Sequence, residues 1–301
     1  MPADEAFPPT SYFCRVIQVF GRYLSLVKFV HTIFALPFAA IGFGYAIHFG
    51  YRGFDFSLAL KVLLCMVFAR SAAMAFNRWT DRAIDAANPR TRIREIPSGV
   101  IKPNSALAFT IANCLAFIAT TWFINPLCFA LSFVALTVIL GYSYTKRFTA
   151  LCHFVLGLGL SLAPVGAWIA VTGTFDTFPL LMSAAVFCWV SGFDIIYALQ
   201  DRSFDIEHGL RSVPAAFGPE KALFISRNLH FASSIFLLSA GLHTDAGPIY
   251  WIGWFIFTGL LVYQHRLVKP YDLSKVNLAF FTTNGIAGTV FAIFVLADLF
   301  L

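Results

Sequence analysis

Only 12% of the 301 residues are charged, about half the share of an ordinary soluble domain (about 25%). Acidic groups are the scarcest, with 15 Asp and Glu against 21 Lys and Arg and a formal net charge of +6. Hydrophobic residues make up 59% and the mean hydropathy is +0.76, which identifies an integral membrane protein and excludes a soluble domain. The six cysteines (14, 65, 114, 128, 152 and 188) are scattered and form no CxxC pair. A disulfide framework or cysteine metal site is therefore excluded, and small buried hydrophobes are the expected role. The seven histidines show no HExxH or comparable spacing. No low-complexity tract or long linker interrupts the chain, so residues 1–301 read as one domain. Residues 1–22 are expected to be a cytoplasmic N-terminal segment. Met1 to Thr10 is polar and Pro-rich and leads into a full-length apolar run, unlike a cleavable signal peptide.

What is abundant is apolar sequence in span-length runs. Segments near 24–48, 57–76, 104–123, 126–144, 151–172, 178–199, 222–243, 248–268 and 277–300 are each close to the roughly 20 residues that cross a bilayer. Nine transmembrane helices are thus expected, in an all-α membrane bundle. The third and fourth are separated only by Asn125-Pro126, where a tight turn is the natural reading and a kink the alternative. With the N-terminus on one side, seventeen Lys and Arg fall on that side and only Arg52 and Lys61 on the other. The positive-inside bias makes the first side cytoplasmic and leaves the C-terminus outside. The positive charge reflects topology and anionic headgroups, with no basic stripe for nucleic acid.

Against this background the few acids are informative. Asn77, Asp81 and Asp85 recur in steps of four, as do Asp201 and Asp205; Asp194 and Tyr197 precede the latter pair. That spacing sets them on one helical face, where like charges repel unless a cation lies between. Oxygen ligands of this kind suit Mg²⁺, which usually bridges protein carboxylates to substrate phosphates. Any one of these acids alone reads equally well as a solvated residue paired with a nearby arginine. Two DxxxD motifs on one membrane face, separated by four spans, argue for a shared diphosphate site. Asp194 lies two turns deeper than Asp201 and needs a partner or a polar cavity at that depth. The loops following the motifs also resemble each other, each with basic residues, a Pro and a Gly. This suggests pseudo-repeat halves at about 23–150 and 151–301.

Diphosphate needs further cations. Lys146, four residues after Tyr142 at a span end, can share a cavity with it; a snorkelling lysine is the plainer alternative. Arg78, Arg82, Arg90, Arg92 and Arg94 divide between phosphate and headgroups, a division that spacing leaves open. Arg78, Arg82, Arg94 and Arg202 are carried as substrate-binding candidates, with Lys28 at the cytoplasmic end of the first span as a further basic wall. Thirty-five phenylalanines are present. Most face lipid or pack between helices, and a minority lining a cavity would suit a carbocation and an isoprenoid tail.

Asn77-x3-Asp81-x3-Asp85, Tyr142-x3-Lys146 and Asp201-x3-Asp205 resemble the three signature motifs of the UbiA superfamily of intramembrane aromatic prenyltransferases. The likeness covers essentially the whole chain. It is greatest to the 4-hydroxybenzoate polyprenyltransferase branch with its menaquinone-pathway relatives. One departure is Lys28-Phe-Val30-His31, where relatives usually carry an acid at the position of Val30. The resemblance implies nine helices around a central cavity, capped by cytoplasmic motif loops, in a bacterial-type inner membrane. It implies Mg²⁺ on Asn77, Asp81, Asp201 and Asp205, with Asp85 as a further ligand, and polyprenyl diphosphate neutralised by Lys146 and arginines. It also implies an aromatic acid acceptor alkylated through an allylic cation. The catalytic set would be Asp81, Asp201, Lys146 and Asp194, the last orienting the acceptor or assisting proton loss. The alternatives are a dihydroxynaphthoate acceptor, a lipid phosphotransferase or phosphatase, and a cation-coupled transporter.

Overall fold

The computed structural model describes residues 21–27, 34–49 and 53–301. Lys28, Val30 and the rest of residues 28–33, within the first expected span, lie outside the described residues. Twelve helices follow in order: α1 Leu36–His48, α2 Phe56–Thr80, α3 Arg82–Ala87, α4 Pro103–Trp122, α5 Pro126–Thr145, α6 Cys152–Thr172, α7 Thr177–Ala198, α8 Arg202–Glu207, α9 Val213–Phe217, α10 Pro219–His243, α11 Pro248–Leu267 and α12 Asn284–Phe300. A 3₁₀ turn, Leu199–Asp201, joins α7 to α8, and a π-helical segment, Leu278–Thr283, leads into α12. Among the described residues the only β feature is an isolated bridge between Lys269 and Asp272.

Helix starts follow local chemistry. Pro103, Pro126, Pro219 and Pro248 each open a helix, where a missing N–H and a fixed φ do no harm. Asp55 and Asp176 cap α2 and α7 by accepting backbone N–H groups. Asn125 settles the tight turn: its Oδ1 accepts the Cys128 N–H at 2.8 Å while its Nδ2 donates to the Ile169 carbonyl at 2.9 Å. One side chain thereby starts α5 and pins it to α6.

Among the described residues, seven helical segments are long and apolar enough to cross a membrane: 56–80, 103–122, 126–145, 152–172, 177–207, 219–243 and 278–300. α1 is shorter, at 13 residues. α11 has the length but carries Tyr250, Trp251, Trp254, Gln264, His265 and Arg266, which reduce its apolar character. Seven of the nine expected spans are thus present by length and composition among the described residues, and the molecule is an all-helical integral membrane bundle.

α7 is the central element, packing between α6 and α10. Its Trp189, fully buried, lies in a core with Phe38, Phe178, Met182, Tyr250, Phe257 and Phe291. The Trp189 indole donates to Asn284 Oδ1 at 2.9 Å. Asn284 in turn donates to the carbonyls of Ala279 and Phe280, both at 3.0 Å, satisfying groups displaced by the wider π turn. α6 and α7 meet closely at Gly157, where a Cβ would lie 2.2 Å from Ser191 Oγ. Only glycine permits that approach, a small-residue contact of the kind membrane helices use. One turn before Gly157 is His153, and one turn after Ser191 is Asp194.

Candidate active site

α2 and α7 each end in a break followed by a six-residue helix. Asp81 is the C-cap of α2, yet its N–H still bonds Asn77 O at 2.9 Å and its carbonyl still accepts from Asp85 N at 2.7 Å. The step of four thus survives the break, and Asn77, Asp81 and Asp85 line one cavity. Asp201 falls in the 3₁₀ turn and Asp205 in α8, lining the same cavity from the opposite side. Its volume is about 630 Å³.

The two motif loops touch. Arg90 Nε donates to Asp201 Oδ1 at 2.9 Å and its Nη2 pairs with Oδ2, while Asn88 Nδ2 donates to Oδ1 at 3.3 Å. Arg90 Nη1 also donates to the Tyr197 hydroxyl at 3.1 Å, with the guanidinium 5.4 Å from that ring's centre. Burial by itself would lower the Arg90 pKa; the hydrogen bond and charge of Asp201 outweigh it and hold the group above its ordinary value.

The third motif meets the first. Asp81, 1% exposed, receives Lys146 Nζ at 2.8 Å, Arg147 Nη2 at 2.9 Å and Asn77 Nδ2 at 3.1 Å. The Arg211 N–H donates to the Lys146 carbonyl at 2.7 Å, drawing the second motif loop onto the same turn. Asp85 takes Arg94 on Oδ1 at 2.7 Å. Asp205 accepts from Ser212 Oγ at 2.8 Å, and Asp194 is bonded to His153 Nδ1 at 2.7 Å.

The sequence-derived residues divide cleanly. Asn77, Arg78, Asp81, Asp85, Arg94, Tyr142, Lys146, Asp194, Tyr197, Asp201 and Asp205 all line the cavity. Arg82 and Arg202 do not. Arg82 is exposed, donating to the Trp79 carbonyl and lying 5.0 Å from its ring centre, and Arg202 Nε donates to the Pro214 carbonyl. Both guanidiniums bond backbone carbonyls outside this cavity, so the structure does not bring these two substrate-binding candidates together with the others. The expectation that the acids share one cation cluster is also modified. Among the described residues no three His, Cys, Asp or Glu side chains converge closely enough to hold a metal. Arginine and lysine stand between the carboxylates.

The donor set still fits Mg²⁺. It is all oxygen, and Asp85 Oδ2 is buried with no hydrogen-bond partner among the described residues. Mg²⁺ needs only one or two protein carboxylates when phosphate oxygens complete its shell.

Among the lining residues that the sequence reading did not single out are Arg70, Asn88, His153 and Ser212; Arg90, which it left between phosphate and headgroups, also lines the cavity. Arg70 had a usable signal, because an arginine inside an apolar span is costly and usually functional. It is half-buried, and its Nε has no partner among the described residues, as is true of Nε and Nη1 of Arg78. Arg70, Tyr142, Leu156 and Leu160 also border a second, apolar cavity of about 290 Å³, lined by Val62, Cys65, Phe117, Leu131 and Ile139 among others. A cation-rich chamber at the end of the bundle thus adjoins an oily one, with an arginine at the junction.

Such a pair of chambers has room for an amphiphile with an anionic head. The sequence profile of the UbiA prenyltransferase family matches residues 24–286, and the chain belongs to that family. It is accordingly a membrane-embedded prenyltransferase. The 4-hydroxybenzoate octaprenyltransferase of Shewanella loihica is 32% identical over 244 residues, spanning 79% of this chain and 84% of that one. The enzyme of the same name from Nitrosospira multiformis is 31% identical over 235 residues, spanning 78% and 81%. An apo UbiA homolog from Aeropyrum pernix K1 superposes with a TM-score of 0.76 at 29% identity, over 89% of this chain and 96% of that one. A UbiA homolog from Archaeoglobus fulgidus bound to GPP and Mg²⁺ shares the fold with a TM-score of 0.72 at 23% identity, over 93% and 100%.

Proposed function

We propose that this protein transfers a polyprenyl group from polyprenyl diphosphate to the ring of an aromatic acid of the 4-hydroxybenzoate type, in quinone biosynthesis. The observation that carries this reading is the pair of adjoining cavities, polar then apolar, sharing Arg70 and Tyr142. The names of the relatives support the acceptor class, and the ligands of the Archaeoglobus homolog support the donor and the metal. Kinship with prenyltransferases displaces the transporter and phosphotransferase alternatives.

Asn77, Asp81 and Asp85 on one loop, and Asp201 and Asp205 on the other, would hold Mg²⁺. Mg²⁺ supplies charge neutralisation for the diphosphate as it departs. Lys146, Arg78, Arg90 and Arg94 orient the diphosphate oxygens, arginine by paired donors and lysine as a point charge. The prenyl C1–O bond breaks with its electron pair leaving on diphosphate, and C1 bonds a ring carbon of the acceptor. The proton on that carbon passes to a carboxylate oxygen of Asp194. Phe193, Phe280 and Phe281 border the cavity. Phe280 lies 5.4 Å from Phe193 and 5.5 Å from Phe281 between ring centres. Their faces stabilise the allylic cation and keep water from it. Arg70 Nε, without a partner among the described residues, is a donor for the acceptor's carboxylate. Nine spans, a cytoplasmic N-terminus and active site, and an outer C-terminus complete the reading.

The test is mass spectrometry of products formed by purified protein and a long-chain prenyl diphosphate, offered 4-hydroxybenzoate or a dihydroxynaphthoate. Prenylated 4-hydroxybenzoate supports the proposal; product from the naphthoate alone reassigns the acceptor. Arg70→Met should raise the acid's KM and leave that for prenyl diphosphate unchanged.

A further inference from the structure

His153 belongs to none of the three sequence motifs, yet it joins two of the site's elements. The residue is 3% exposed. Nε2 accepts the Val213 backbone N–H at 3.3 Å, and Nδ1 meets Asp194 Oδ2 at 2.7 Å. A backbone N–H can only donate, so Nε2 carries no proton and Nδ1–H must be the donor to Asp194. The tautomer is thereby fixed by the protein. Val213 follows Ser212, whose Oγ caps α9 by accepting the Ala215 N–H at 3.3 Å and donates to Asp205 at 2.8 Å. A run of hydrogen bonds therefore extends from the second DxxxD motif, through the start of α9 and the imidazole, to Asp194. Below it, the close α6–α7 contact at Gly157 and Ser191 fixes the spacing on which the His153–Asp194 bond depends.

We propose that His153 is a positioning residue for the acceptor half of the reaction. Its Nδ1–H donates to Asp194 Oδ2 and so aims the carboxylate. Its Nε2 anchors that aim to the loop that binds the diphosphate. The proposal rests on the reading above, in which Asp194 serves the aromatic acceptor.

Two substitutions separate positioning from packing. His153→Gln supplies an Oε1 acceptor for Val213 and an Nε2–H donor for Asp194, so both bonds can be remade. His153→Phe fills the space and removes both. In purified protein, His153→Phe should lower kcat for ring alkylation about 10–100-fold, the usual loss when a group that orients a catalytic ligand is removed. The KM for prenyl diphosphate should stay within about twofold of wild type, and His153→Gln should recover most of kcat. In an Asp194→Asn background, His153→Phe should cost nothing more, because residues acting through one another are not additive. A His153→Phe enzyme with wild-type kcat overturns the proposal, as does a Gln variant no better than Phe. A further loss on top of Asp194→Asn overturns it too. If Asp194→Asn alone is fully active, the assignment of Asp194 fails first, and that outcome is told apart from failure at His153. Melting curves of the same samples identify a Phe variant that loses activity by unfolding, in which case the Gln variant and the Asp194→Asn double decide the matter.

Discussion

Replacing Asp81 by Asn tests whether the carboxylate is there for chemistry or for holding loops together. The change keeps the shape and removes the charge that Lys146 and Arg147 share. Removing one partner of a fully buried ion pair costs about 3–5 kcal/mol. Here the cationic side chains remain 30% and 32% exposed, so water can replace part of the interaction. The expected loss of stability falls to about 1–2 kcal/mol after that discount. A carboxylate that helps hold the metal and diphosphate contributes about 3–4 kcal/mol in the transition state, the scale of a lost oxyanion donor. At 1.36 kcal/mol per decade, turnover should fall about 10²–10³-fold. Purified Asp81→Asn should therefore melt only a few degrees below wild type while nearly all prenyl transfer is lost, both measured in the same detergent. If more than about a tenth of turnover survives, on the same energy scale, Asp81 anchors Lys146 and Arg147 and takes no direct part in the reaction.

Lys146→Ala should raise the KM for prenyl diphosphate, and Arg should restore it better than Gln because position 146 needs charge. An unchanged donor KM with a raised acceptor KM would move Lys146 to the acceptor side. Ser98 and Glu207 are exposed in the first and second motif loops. In a cysteine-free background, Ser98→Cys and Glu207→Cys should both label from the cytoplasmic side only, and labelling from opposite sides refutes the nine-span topology. At the opposite end of the bundle, Asp298 accepts the N–H groups of Gly247 at 2.8 Å and Ile249 at 3.1 Å, capping α11 from α12. Asp298→Ala should lower stability by about 1–2 kcal/mol, as for a lost helix cap, with turnover per folded molecule unchanged; a turnover loss with an unaltered melting temperature would contradict this.

The legible parts of the site were the local ones. A step of four fixes which acids share a face whatever the rest of the chain does, and Asn77, Asp81 and Asp85 line the cavity together as that rule requires. Partner choice is not local. Arg90 reaches Asp201 across 111 residues and His153 reaches Asp194 across 41, and no periodicity relates such positions. Arg82 and Arg202 show the converse: they are near the motif acids in sequence but outside the cavity. Both are adjacent in sequence to motif acids, and adjacent residues on a helix point about 100° apart. For the fold, span length and the Asn125-Pro126 break were readable. α11 was counted from its length, although its tryptophans, tyrosines and polar last turn weaken its apolar character.

The contacts that tie the three motifs together have a bearing on how the chain is made. Asp81 meets Arg147 across 66 residues, Asp201 meets Asn88 across 113, and Arg211 meets the Phe148 carbonyl across 63. Contacts of such separation carry a loop-closure cost that only prior packing of the intervening helices offsets. During synthesis the first DxxxD loop emerges long before the second, so until α7 is in position it lacks the Arg90 and Asn88 contacts to Asp201. The catalytic chamber is then among the last features of the molecule to form. An intermediate with only the N-terminal half inserted would hold its acids and arginines without their final partners and would have no means of ionising a prenyl donor.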